Sequence, residues 1–183
     1  MPDDPHGYRT PARMLHWGIA AAVLLMIPAG LVMTREGLDR GLQDTLFLFH
    51  KNTGVLLLPF ILARLAYRLR HPPPPLPASV PGWQRRIAGL SHGLLYVLLI
   101  VMPLSGFVRV RAGGFPIELL DALGAGPWLA KSETLAGAAQ SLHAAAGFAL
   151  IALLALHLGA AAQHALILRD GVWSRIWPPR APR

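Results

Sequence analysis

LAGAAQSLHAAAGFALIALLALHLGAAAQHALIL, residues 135–168, decides the fold. It contains no Asp, Glu, Lys or Arg. It is longer than the roughly 20 apolar residues that cross about 30 Å of hydrocarbon. It reads as a membrane-spanning helix whose ends project into water. His143 and His157 lie fourteen residues apart within it. At 3.6 residues per turn and 1.5 Å per residue, both imidazoles leave nearly the same face, about 21 Å apart along the axis. Ionisable side chains at membrane depth are expensive, so each needs a partner or a function. One helix supplying ligands to two stacked sites is the expectation.

The rest of the chain fits that solvent. Of 183 residues, 54% are hydrophobic and 14% charged, against about 25% charged in a soluble domain. The mean hydropathy is +0.44. Three more stretches reach membrane length, at about Met14–Met33, Thr45–Tyr67 and Ile87–Val108. With 135–168 they make an all-α, integral membrane four-helix bundle in one membrane domain spanning 1–183. Pro28, Pro59 and Pro103 fall inside the first three spans, where neighbouring helices can tolerate a kink. The first span lacks a clear small-residue cleavage site and reads as a retained helix, not a secretory signal. The run HPPPPLP at 71–77 reads as a semi-rigid spacer. Phe115–Leu129 reads as a short interfacial helix with Trp128 at the headgroups. No internal repeat is convincing, although the second and fourth spans share one local pattern.

Lys and Arg choose the orientation. One side holds Arg9, Arg13, Arg64, Arg68, Arg70, Arg85, Arg86, Arg169, Arg175, Arg180 and Arg183 against Asp3, Asp4 and Asp170. On the other, Arg35, Arg40, Lys51, Arg109, Arg111 and Lys131 are balanced by Glu36, Asp39, Asp44, Glu118, Asp121 and Glu133. Both termini and the middle loop are therefore expected to be cytoplasmic. The net charge of +8 could suggest nucleic acid. These charges flank apolar runs instead of forming a basic face with aromatics, so no nucleic-acid partner is expected. There is no cysteine, which excludes disulfides, thiolate zinc sites, Cys-ligated iron–sulfur clusters and covalent c-type haem.

His6 and His71 lie in polar, proline-flanked segments and read as surface residues. Orientation sorts the others by depth. His50 and His143 fall near the outer face, and His16, His92, His157 and His164 in the inner half. The outer pair shares a second feature. His50 is followed four residues later by Gly54, in HKNTG, and His143 by Gly147, in HAAAG. Residues at i and i+4 share a face, so each glycine leaves room beside an imidazole for a flat group. Small-residue helix packing is the competing reading.

Zinc normally takes three or four protein ligands, and neither depth group has a carboxylate inside a span. Haem needs two axial ligands, and two His ligands favour electron transfer over oxygen binding. Its propionates would sit near cations. Lys51 and Arg109 are candidates outside, and Arg13 and Arg86 inside. The inner group holds more histidines than one haem needs, and spacing does not choose among them.

The chain resembles the bacterial cytochrome b561 family, related to the cytochrome b subunits of nickel–iron hydrogenases and formate dehydrogenases. The resemblance runs from Tyr8 to Pro178. It rests on RMLHW (13–17), HKNTG (50–54) followed by Arg64 and Arg68, SHGLLY (91–96), PLSG (103–106), SLH (141–143), LH (156–157) and the tail QHALILRDGVWSRIWP (163–178). It implies a multi-pass protein of the bacterial inner membrane carrying two b haems, with His50 and His143 as axial ligands of the outer haem and His16 and His157 of the inner one. It leaves His92 and His164, with Arg169, as supporting or quinone-contact candidates. Ubiquinone is the implied electron partner. The outer one-electron partner could be superoxide, drawn by the basic residues of the outer loops, or a redox protein. Two alternatives are an anchor subunit of a dehydrogenase or hydrogenase and a haem-free histidine proton or ion conduit.

Overall fold

A computed structural model describes residues 7–177. Asp3, Asp4, His6, Arg180 and Arg183 lie outside the described residues. The chain is all-helical. Four helices are long and apolar enough to cross a membrane: α1 (Thr10–Val32), α2 (Arg40–Arg70), α3 (Gly82–Ala112) and α5 (Glu133–Ala162). α5 runs on through a π-helical turn, Gln163–Leu168, making a continuous apolar candidate span from Glu133 to Leu168. α4 (Glu118–Ala122) is a single short turn in the α3–α5 connection, and a 3-10 turn covers Trp173–Arg175. Trp128, beyond α4, is exposed.

Local chemistry sets the ends. Asp39 caps α2 by accepting from Leu42 N at 3.0 Å, and Ser132 caps α5 by accepting from Leu135 N at 3.3 Å. α1 has Pro11 in its first turn and α3 follows Pro81, where a missing N–H costs nothing. α2 stops at His71, immediately before the proline run. His71 is not a plain surface residue. It is half-buried and stacks on Tyr67 with ring centroids 4.3 Å apart. Pro28, Pro59 and Pro103 all lie inside continuous helices.

The chain packs as an up-and-down bundle. The first and last described segments meet at one end of it, where Tyr8 N donates to Arg175 O at 2.9 Å. Arg175 also donates to the Pro74 carbonyl of the proline run. We call this the terminal end and the opposite one the loop end. α1 packs along α2, α2 along α3 and α3 along α5, whereas α5 is not closely packed on α1 or α2. The buried core is small: Ile19, Val23, Ile61 and Leu150, with Leu57, Leu99 and Leu154 against it. Leu24, Leu25, Leu56, Phe60, Phe148 and Leu156 instead point outward. A helix apolar around its whole circumference suits a lipid surround. Leu150 lies seven residues from both His143 and His157. The core is thus an apolar plug between two histidine layers.

Candidate functional site

At the loop end, His50 of α2 faces His143 of α5 with ring centroids 6.2 Å apart and planes crossed at 73°. At the terminal end, His16 of α1 faces His157 of α5 at 6.5 Å and 74°. His92 of α3 also meets His157, at 5.5 Å. The facing pairs are therefore carried by helices that do not pack closely on each other. Their backbones stand apart while their imidazoles converge.

Metal–nitrogen bonds of about 2.0–2.1 Å, with roughly 1.1 Å from nitrogen to ring centre, put imidazoles on opposite sides of one metal about 6.2–6.4 Å apart. His50–His143 and His16–His157 match that spacing within about 0.1 Å. His92–His157 is too short. Among the described residues no cluster of three or more His, Cys, Asp or Glu could hold a bare metal ion. Two-point ligation of a group that brings its own equatorial donors fits, and a zinc cage does not.

His143 is held from behind. Its Nδ1 lies 3.0 Å from the Met102 carbonyl and 3.1 Å from Ser105 Oγ. Ser105 donates its own hydroxyl proton to Val101 O at 2.7 Å. Nδ1 therefore carries the ring proton, and Nε2 keeps its lone pair. The Met26 carbonyl of α1 is the backbone group beside His50, but Nδ1 there is buried without a hydrogen-bond partner.

His50 and His143 line a cavity of about 1010 Å³, together with Gly54, Gly147, Arg109 and Gln140, ample for a large flat cofactor. The clearance expected at Gly54 and Gly147 is filled in part by methionine. A Cβ at Gly54 would lie 3.5 Å from Met26 Cε, and one at Gly147 would lie 3.6 Å from Met102 Cε. Two further glycines, Gly30 and Gly106, touch the imidazoles from neighbouring helices, and sequence reasoning missed both. MIPAG (26–30) of α1 meets HKNTG (50–54) of α2, and MPLSG (102–106) of α3 meets HAAAG (143–147) of α5. The loop end is thus built from two similar hairpins.

The cations divide. Lys51 is paired with Glu118 at 2.6 Å and with the Pro116 carbonyl at 2.9 Å. Asn52 accepts from Leu119 N and donates to Glu118, so these two HKNTG residues clamp α4 over the mouth. Partial desolvation pulls the Glu118 carboxyl upward, but hydrogen bonds from Lys51 and Asn52 outweigh it and hold the group below its ordinary value. Arg111, buried, pairs with Asp121 at 2.5 Å and likewise holds that carboxyl low. Arg109 makes no ion pair among the described residues and meets Gln140 at 3.3 Å on the cavity wall. At the terminal end Arg13 Nε is buried without a hydrogen-bond partner among the described residues, while Arg86 is exposed. Arg64, not singled out as a ligand-facing cation from sequence, donates to Ala12 O at 2.6 Å. Its charge lies within electrostatic reach of His16, His92 and His157.

His164 sits in the π-helical turn, its Nδ1 2.6 Å from Asp170 Oδ2. Asp170 also accepts from Val172 N. Arg169, between them in sequence, adopts a left-handed backbone with φ +50°. Nearby, Trp17 packs edge-on against His16 and clusters with Trp173 and Trp177.

Two stacked bis-histidine layers on a four-helix membrane bundle invite comparison with known cytochromes. The profile of prokaryotic cytochrome b561 matches residues 7–179. The chain belongs to that family. It is 30% identical over 173 residues to cytochrome b561 homolog 2 of Escherichia coli K12, covering 94% of this chain and 92% of that one. It is 26% identical to cytochrome b561 homolog 1 of the same organism over 131 residues, 72% and 74% of the two chains. It is 24% identical to the probable superoxide oxidase CybB of Yersinia pestis over 169 residues, 91% and 93% of the two. This cytochrome b561 chain is a multi-pass bacterial membrane protein of an electron-transfer family whose members bind haem b.

Proposed function

We propose that this cytochrome b561 protein carries two b haems, one between His50 and His143 and one between His16 and His157, and moves electrons between a periplasmic one-electron partner and membrane ubiquinone. The single observation behind it is the two pairs of facing imidazoles, at 6.2 and 6.5 Å, on either side of an apolar plug. Haem, when bound, supplies reversible one-electron iron chemistry. The chain's own residues do the rest. His143 presents Nε2 because Met102 O and Ser105 fix its other nitrogen. Arg109 with Gln140, on the cavity wall, offers donors to a propionate at the loop end, and Arg13 and Arg64 do so at the terminal end. His92 lies nearer His157 than the facing pairs lie to each other, and would be a supporting side chain.

With both termini in the cytoplasm of the inner-membrane protein, the loop end faces the periplasm. Superoxide fits as the one-electron partner. Arg109 is a cation on the cavity wall free of any ion pair among the described residues, and the likeness to the Yersinia pestis protein favours the same choice. Two superoxide anions each lose one electron and leave as dioxygen. One quinone gains both electrons and two protons and leaves as quinol. His164 on Asp170, with Arg169, is the candidate contact for that quinone at the terminal end.

The test is a haem stoichiometry on purified protein. Wild type is expected to hold two haems per chain, and His143→Ala and His157→Ala one each, of spectrally distinct kinds. Two haems remaining in either variant would sink the ligation. Superoxide should reduce the wild-type cytochrome rapidly, more slowly as salt rises, and quinone should reoxidise it. Unchanged haem spectra on superoxide exposure would remove that partner.

A further inference from the structure

We propose that Gly30 and Gly106 are positioning residues that set the ring planes of His50 and His143, each acting from the helix next to the one that carries the imidazole. The proposal rests on the reading that these two histidines share one haem.

The last torsion of a histidine side chain is broad and soft, so a ring plane needs an external stop. His143 has one polar stop, the Met102 carbonyl with Ser105. His50 Nδ1 has none. Packing must do more there, and the contact is correspondingly tighter. A Cβ built on Gly30 would come within 2.8 Å of His50 Cε1 and 3.3 Å of Nδ1. A Cβ on Gly106 would come within 3.2 Å of His143 Cε1 and 3.4 Å of Nδ1. Both imidazoles thus lie flush on glycine backbone, at the same two ring atoms. This is not a general property of the helical glycines. Gly18, Gly89, Gly93, Gly137 and Gly159 would meet nothing within 4 Å.

The reciprocal contacts point the same way. Met26 and Met102 stand four residues before Gly30 and Gly106, and their methyl groups rest against Gly54 and Gly147. Each hairpin locks one imidazole against one glycine and one thioether against another. The lock ties ring orientation to helix spacing, because neither imidazole can turn without moving the helix that backs it. The 73° crossing of the two planes is the quantity this device holds. Glycine in a helix interior is less favourable than alanine in water, so these positions give up helix propensity for the close approach.

The experiment uses the full-length, haem-loaded protein. Gly30→Ala, Gly106→Ala and the control Gly159→Ala are compared with wild type. The readouts are the ferric low-spin electron paramagnetic resonance signals, which report the angle between axial imidazole planes, and the midpoint potential of each haem. Gly30→Ala should move the signal and potential of one haem and spare the other. Gly106→Ala should move the same haem by less, and Gly159→Ala should move neither. Loss of only the loop-end haem in Gly30→Ala also supports the proposal, since the displaced ring no longer reaches its metal. If Gly30→Ala fails to fold, Gly106→Ala, with the milder contact, decides by the same signals. Wild-type signals and potentials in the folded glycine variants would overturn the proposal. His50→Ala separates the two levels. If it keeps both haems, the ligation reading itself fails. If it loses one haem while the glycine variants stay silent, only the positioning role fails.

Discussion

Ser105 and the Met102 carbonyl both meet Nδ1 of His143, and the two contacts are not equivalent. Met102 O is a fixed backbone acceptor, whereas the Ser105 hydroxyl already donates to Val101. Ser105→Ala should therefore keep the proton on Nδ1 and keep the loop-end haem. Titration with haem should show affinity weakened by no more than about tenfold, the low end for loss of a supporting partner. A complete loss of that haem would mean the hydroxyl, not the carbonyl, orients the ring. The terminal end offers a sharper contrast. His16→Ala should leave one haem per chain and His92→Ala two, since only the His16–His157 spacing admits an iron in line. The haem assay that gives the opposite order would exchange their roles. Sequence reasoning reached the four facing histidines through depth and resemblance. It reached Ser105 and Gly106 only as part of PLSG and gave no role to them, Gly30 or Met26, because a small residue in a span reads the same whether it touches lipid, a helix or an imidazole.

At the scale of elements, α4 is held by charge. Lys51–Glu118 and Arg111–Asp121 are the two ties, and Ile117 at the N-cap of α4 is almost wholly buried. Both carboxyls lie below their ordinary values of 4.5 and 3.8. Groups with lowered values stabilise the fold above the unfolded value, and that contribution is lost as pH falls through the folded one. The clamp should thus be intact from neutral pH down to about pH 4 and loosen only below. Hydrogen exchange of residues 114–123 should stay flat from pH 7 to 5, after correction for intrinsic rates, and lose protection in stronger acid. Glu118→Gln should loosen the same segment at pH 7 by roughly 0–1 kcal/mol, as expected for a part-exposed pair. A segment equally protected at pH 3 would mean that Ile117 burial, not charge, holds it. The α4 turn was legible from its apolar–acidic mixture, but its anchor was not. Lys51 and Glu118 are sixty-seven residues apart, and HKNTG reads most simply as a cofactor motif. Its histidine, lysine and glycine line the cavity, while the lysine and asparagine also tie down the loop.

For the whole molecule, the plug of Ile19, Val23, Ile61 and Leu150 separates two polar layers in a bundle whose outer surface is apolar. That arrangement was foreshadowed by fourteen-residue histidine spacing, because a helix fixes depth and face together. Which helices neighbour α5 was not, since four similar apolar spans can be arranged around one another in several ways. The geometry puts Tyr8, Arg175 and the proline run at one end, and basic residues Arg64, Arg68, Arg70, Arg85, Arg86, Arg169 and Arg175 belong to that end. The excess of Lys and Arg on that side predicts that it faces the cytoplasm. The chain has no cysteine, so single cysteines report without background. In intact cells whose outer membrane is permeabilised, a membrane-impermeant maleimide should label Thr34→Cys and Ala122→Cys. It should label Ser79→Cys and Ser174→Cys only after the inner membrane is opened. All four positions are exposed, so lack of reaction reflects sidedness and not burial. The reverse pattern would place His16 and His157 at the periplasmic face. The superoxide and quinone ends of the proposed reaction would then have to change places.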